Sequence, residues 1–202
     1  VLPKTLALFA VLFLVSVGDL GNAAEPVSTD EALADKIVGD PNAPVEVIAY
    51  ESLTCPHCAA FQRETWPELK EKYVDTGKVK FIFRDFPLDA VGLHAAMMAR
   101  CTGDERYFGV IDVLFNSQSE WARAKDPMKA LAGIGRLAGL DEAAFDACMA
   151  DEALMDGILK RRQEAQNEFD VSSTPTFIVN GTKVVGAQPF EKFDEIIAPL
   201  TE

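Results

Sequence analysis

Thr54-Cys55-Pro56-His57-Cys58 decides the reading of this chain: two cysteines, two residues apart, stand where an apolar run gives way to a helical one. Residues 45–50 precede the motif, with Val47, Ile48 and Ala49 in succession, as a strand covered on both faces requires. After it, Pro56 suits a first helical position, and Cys58, Phe61, Leu69 and Tyr73 recur on or near one face. Pro67 removes a hydrogen bond and crowds the preceding turn, which predicts a kink over residues 64–66. Gly77 ends the helix, and Val79-Lys80-Phe81-Ile82-Phe83 reads as a second strand, parallel to the first across the helical crossover. The motif therefore sits at the first strand-to-helix turn of a βαβ unit.

That position has chemical consequences. A cysteine at a helix start faces unpaired N–H groups and the positive end of the helix dipole, and both favour a thiolate. Cys55 is that residue and the candidate nucleophile. Cys58, one turn further in, lies on the same face and is the candidate resolving thiol, held protonated by its interior position. His57 between them, as a cation, would lower the Cys55 pKa further. Two other readings use the same residues. Half of a zinc site would need partners, but no second Cys-X-X-Cys or His-X-His occurs, so no metal is expected. A purely structural bridge between Cys55 and Cys58 would close too small a loop to stabilise much.

Outward from the βαβ unit, residues 25–44 form a polar lead-in, with Ser28 and Thr29 as candidate caps of a short helix running through Lys36. Residues 88–101, 104–115, 127–138 and 141–149 read as helices broken by Gly103, residues 116–119 and Gly139, and residues 151–169 as a longer charged helix. Thr176-Phe177-Ile178-Val179 and residues 182–185 flank Asn180-Gly181, a strong hairpin signal, before a terminal helix over residues 190–200. No repeat or low-complexity tract interrupts the chain, and one compact unit is expected. His94, Trp66, Trp121 and the Met97-Met98 pair are expected in packing or on a peptide groove rather than at a cofactor. The absence of a Gly-rich dinucleotide fingerprint argues against a bound cofactor.

Composition bounds the setting. Lys4, an apolar run over residues 6–17 and small residues at Gly21, Ala23 and Ala24 read as a cleavable export signal over residues 1–24, too short to span a bilayer. Its removal leaves about 178 residues and keeps the net charge at −13, which argues against nucleic acid and anionic membranes as partners. Four cysteines, Cys55, Cys58, Cys101 and Cys148, in an exported chain are disulfide candidates. Cys55 and Cys58 are so close that the open question is whether Cys101 bonds Cys148.

With Cys55-Pro56-His57-Cys58 near one end and Thr174-Pro175-Thr176 near the other, the chain resembles the DsbA family of the thioredoxin superfamily. The resemblance covers residues 40–200. It implies an α/β, thioredoxin-like fold with an inserted all-helical subdomain: core residues 45–87 and 151–202, insertion 88–150. It also implies a cis peptide bond at Thr174-Pro175 facing Cys55, with Thr174 available to an extended substrate. Relatives commonly carry an acidic residue six positions before the first cysteine, where Ala49 stands here; Glu51 is the candidate to transfer protons instead, a solvated loop carboxylate being the alternative. Cys101 and Cys148 both fall in the helical insertion, where a structural disulfide is the favoured reading over a redox-regulating pair or free thiols.

The function implied is that of a periplasmic thiol:disulfide oxidoreductase, a monomer without cofactor, acting on reduced exported polypeptides and reoxidised by a membrane partner resembling DsbB. A disulfide isomerase or reductase is the alternative within redox enzymes, left open by Thr174. A non-catalytic peptide-binding chaperone is the alternative outside them.

Overall fold

The computed structural model describes residues 27–201; the export segment expected over residues 1–24 lies outside the described residues. In chain order the elements begin with α1 (Thr29–Leu33), β1 (Lys36–Val38), β2 (Val45–Glu51), α2 (Pro56–Glu64) and α3 (Trp66–Leu69). A π-helical turn, Lys70–Val74, leads to β3 (Val79–Asp85). Six helices follow: α4 (Ala90–Cys101), α5 (Asp104–Asn116), α6 (Gln118–Trp121), α7 (Pro127–Leu137), α8 (Glu142–Met149) and α9 (Glu152–Phe169). The chain closes with β4 (Thr176–Val179), β5 (Thr182–Val185) and α10 (Phe190–Ile197), extended by a 3-10 turn, Ala198–Leu200. Among the described residues, no helix is long and apolar enough to cross a membrane.

The sheet runs β1-β3-β2-β4-β5. β2 and β3 are parallel, with Val45 opposite Val79 and Glu51 opposite Asp85, while β2–β4, β4–β5 and β1–β3 are antiparallel. β2 is thus central, and its side chains alternate between two buried faces as the strand period demands. Val45, Val47 and Ala49 pack with Phe61, Leu69 and Tyr73 of the broken crossover helix and with Phe193 and Ile197 of α10. Ile48 and Tyr50 pack on the opposite face with Ile82, Ile178 and Ala165 of α9. A third core fills the helical block and reaches Cys55, Cys58 and Ala59, so α2 is shared between sheet and block. This is a thioredoxin-like fold carrying an inserted all-helical subdomain.

The crossover helix breaks at Thr65, whose side chain donates to Gln188 O at 2.9 Å, in the region where Pro67 calls for a kink. The hairpin turn has positive φ at Asn180 (42°) and Gly181 (86°), as a primed turn requires.

Two expectations need correction. The first helix, capped by Ser28, stops at Leu33 and does not run through Lys36, which opens β1 against β3. Lys36 is buried because its ammonium pairs with Asp104 and donates to Glu31 O at 3.2 Å, so a lysine that looks like lead-in surface closes a sheet edge. Residues 116–119 are not simply a break, since α6 begins at Gln118.

Arg100, in α4, is 1% exposed. It donates to Asp85 at the end of β3 at 2.5 Å and to the carbonyls of Ala32 and Ala34 at 2.6 and 3.1 Å, so one guanidinium joins the insertion, the sheet and the C-terminal end of α1. Trp121, Met97 and Met98 lie in the core of the helical block. Cys101 and Cys148 form a disulfide between α4 and α8.

Candidate active site

β2 delivers the chain to the motif, and α2 starts immediately beyond it. Cys55 is the N-cap of α2 and Pro56 its first residue. The proline gives up an N–H that would have had no intrahelical partner. Pro56 and His57 are exposed, whereas Cys55 is 5% exposed and Cys58 is fully buried. The last strand residue before the loop is Glu51, and the loop is tied down by short-range bonds: Cys55 N donates to Ser52 O at 3.0 Å, and Ser52 shares a hydroxyl contact with Thr54 at 3.1 Å.

The far end of the chain completes the site. The Thr174–Pro175 bond is cis, and the Cys55 thiol donates to Thr174 O at 3.3 Å across a sequence separation of 119 residues. Thr174 is itself buried, and its hydroxyl has no protein hydrogen-bond partner.

The two thiols ionise in opposite ranges. Cys55 is lowered from 9.0 to about 5, first because Cys58 donates to the Cys55 thiolate; burial opposes this, and the backbone N–H groups of Cys58 and His57 add to it. His57 therefore reaches Cys55 through its main chain, while its imidazole stands in solvent. Cys58 is pushed well above the ordinary thiol range, by burial first, then by its bond to Cys55 and the nearby Glu51 carboxylate; Ser52 N–H, 3.5 Å from its sulfur, opposes the rise.

Glu51 is not a solvated loop carboxylate. It ends β2 at 1% exposure, and burial pushes it from 4.5 up to about 8, with the Cys55 charge adding to the rise and Gln62 opposing it. The Gln62 amide is bonded to both carboxyl oxygens, at 2.9 and 3.1 Å. A neutral carboxyl, a buried thiol and a thiolate thus share one polar nest at the junction of β2 and α2.

Gln62 and Gln118 complete this site, and neither stands out in the sequence. Gln62 follows Cys58 by four residues, so helical spacing alone places it on the same face. Gln118 offers no such signal. Its amide donates to Leu53 O at 2.8 Å and to Cys55 O at 3.0 Å, fixing the motif loop to α6. Among the described residues, no group of three or more His, Cys, Asp or Glu side chains is arranged to hold a metal ion.

Comparisons with known proteins agree with this architecture. The Thioredoxin family model matches residues 31–198. A Rickettsia bellii protein named "Putative protein-disulfide oxidoreductase" is 31% identical over 150 residues, which cover 74% of this chain and 58% of that one. The chain spans just over half the length of the Rickettsia relatives it matches. Among solved structures, Wolbachia pipientis alpha-DsbA1 is 38% identical with a TM-score of 0.76, covering 83% of this chain and 90% of that one. A protein-disulfide isomerase from Novosphingobium aromaticivorans is 26% identical with a TM-score of 0.72, covering 83% and 98%. A family match over most of the chain, together with this likeness to alpha-DsbA1 in sequence and fold, makes the protein a member of the thioredoxin superfamily and, within it, of the DsbA family.

Proposed function

We propose that the protein is a thiol:disulfide oxidoreductase that oxidises reduced exported polypeptides in the periplasm through Cys55 and Cys58. The observation that carries this is the opposite displacement of the two thiols, Cys55 lowered to about 5 where it meets Thr174 O before the cis proline, and Cys58 raised. A depressed pKa makes Cys55 a good leaving group and stabilises the reduced pair, which makes the disulfide an oxidant.

A substrate thiolate attacks Cys55 Sγ, the Cys55–Cys58 bond breaks, and a mixed disulfide forms at Cys55. Cys58 leaves as a thiolate and, because its environment disfavours charge, takes a proton; the neutral Glu51 carboxyl is the nearby donor. A second substrate thiolate then attacks the substrate sulfur of the mixed disulfide, forming the substrate disulfide and releasing Cys55 as a thiolate. Two electrons pass to the enzyme, and a membrane partner resembling DsbB removes them. The protein acts as a monomer, with Thr174-Pro175 as the edge met by an extended substrate.

Isomerase or reductase activity is the second reading, favoured by the name of the Novosphingobium relative and by Thr174 before the cis proline. Parallel assays on reduced and on scrambled ribonuclease separate the two: faster oxidation of the reduced form is expected, and better rescue of the scrambled form overturns the oxidase assignment. Cys55→Ala is expected to abolish complementation of oxidative folding. Full complementation by that variant would mean that the groove acts as a chaperone without the thiols.

A further inference from the structure

A cleft of about 440 Å³ opens beside the motif, between α2 and the end of the α5–α6 turn. Pro56, Ala59 and Arg63, spaced along one face of α2, form one wall; Asn116, Ser119 and Arg123 stand on the other. The cleft thus begins at the residue after Cys55 and runs away from it along α2. Arg63 and Arg123 are exposed, and neither makes an ion pair among the described residues. This is unusual company in a chain with 19 basic and 32 acidic residues. The lining has one carboxylate, Asp89, and it is engaged internally: Oδ1 accepts from Gly92 N at 2.7 Å, capping α4, and Oδ2 accepts from the Thr54 hydroxyl at 2.8 Å. The helix N-terminus that Asp89 caps offsets part of its charge. Alongside apolar wall from Val91, Phe115 and Ala122, what the cleft presents to an anionic visitor is two guanidinium groups, with the hydroxyl of Ser119 and the amide of Asn116 in the same lining.

Resting on the exchange reading above, we propose that this cleft is a recognition subsite for an acidic side chain, Asp or Glu, carried near the reactive cysteine of the substrate polypeptide. Guanidinium groups present forked donors that match a carboxylate. Placing them in the cleft that begins at Pro56 couples their occupancy to the approach of the substrate sulfur to Cys55. The bland alternative is that both arginines are ordinary solvated charges, Arg63 offsetting the dipole at the end of α2. The two readings differ in sign. With a net charge of −13, the field of the whole molecule favours a cationic peptide over an anionic one; a preference for an acidic peptide therefore has to come from the cleft.

The test uses two dithiol peptides identical except for Glu or Lys flanking the first cysteine, oxidised by the wild-type protein at low ionic strength. The expected result is a rate ratio of about fivefold in favour of the Glu peptide, the scale of one well-placed exposed ion pair, shrinking as salt is added. Arg63→Glu/Arg123→Glu is expected to invert the ratio. Lys78→Glu/Lys160→Glu makes the same change in net charge at exposed positions outside the cleft lining and is expected to keep the wild-type ratio. A ratio at or below one in the wild type overturns the subsite, as does an equal response of the two double variants. Failure of both peptides to be oxidised at all overturns instead the exchange reading on which the subsite rests.

Discussion

At the residue scale, Cys55 is displaced downward by the hydrogen bond from Cys58 against the effect of burial, whereas burial displaces Cys58 and Glu51 upward. Cys55, depressed to about 5, ionises well below neutrality, so a pH titration of the ultraviolet thiolate absorbance of the reduced protein is expected to show one midpoint near pH 5, lost in Cys55→Ala. The linkage sign follows from the depression: ionisation of Cys55 stabilises the reduced fold above the unfolded thiol pKa, and this contribution is lost as pH falls through about 5. Thermal unfolding of reduced and oxidised protein should therefore converge as pH is lowered towards 5. A gap that widens instead would contradict the depressed Cys55.

Glu51 carries the opposite sign. Its folded pKa, raised to about 8, means that the unfolded carboxyl ionises first as pH rises, so the fold loses stability between about pH 4.5 and pH 8. Glu51→Gln removes that loss. The stability of the variant relative to wild type is expected to rise across this window, whereas its rate of exchange at neutral pH falls if the carboxyl supplies the proton to Cys58. Urea unfolding at three pH values checks the first, and stopped-flow oxidation of a peptide checks the second.

At the element scale, the short helix α6 holds the motif loop in place. Two donors from Gln118 satisfy the Leu53 and Cys55 carbonyls, and replacing the amide by an isosteric apolar group leaves both unpaired. Gln118→Leu is expected to cost about 1–3 kcal/mol in urea unfolding, the range for two lost bonds of ordinary net strength. An unchanged midpoint would mean that water replaces the amide at no cost. The same helix is poorly visible in the sequence. Gln118–Trp121 is four residues long, too short for an apolar period, and it is held by Gln118 and by the buried Trp121, whose indole donates to Leu114 O at 2.7 Å. By contrast, α7 and α10 announce themselves through a proline at or before their first turn and an apolar stripe.

At the scale of the molecule, the helical block is fastened to the sheet and to itself by long-range links. The Cys101–Cys148 bridge spans a separation of 47 residues. On the chain-entropy argument, Cys101→Ser/Cys148→Ser is expected to destabilise the fold by up to about 4 kcal/mol. A loss below about 1 kcal/mol in denaturant unfolding would show that the bridge does not act as a staple. Arg100 is the second fastening. Arg100→Ala leaves Asp85 buried without its partner and is expected to cost about 3–5 kcal/mol, more than the loss of packing from an exposed arginine.

Features that depend on neighbours in the chain were legible from residue order. The β-favouring strand into the motif, the proline that starts α2, the break before Pro67 and the Asn180-Gly181 turn are all set by side-chain period or by backbone restriction within a few residues. The resemblance carried by Cys55-Pro56-His57-Cys58 and Thr174-Pro175 extended that reading to the family and its fold. Tertiary structure alone decided the rest. Lys36 becomes a strand residue because Asp104 lies 68 positions away to receive its charge. Glu51 becomes a buried, neutralised acid because α2 covers the end of β2 and offers it Gln62. Gln118 reaches Cys55 O from 63 residues along the chain. Each of these states depends on burial and on a partner brought close only by folding, and a local pattern of residues contains neither.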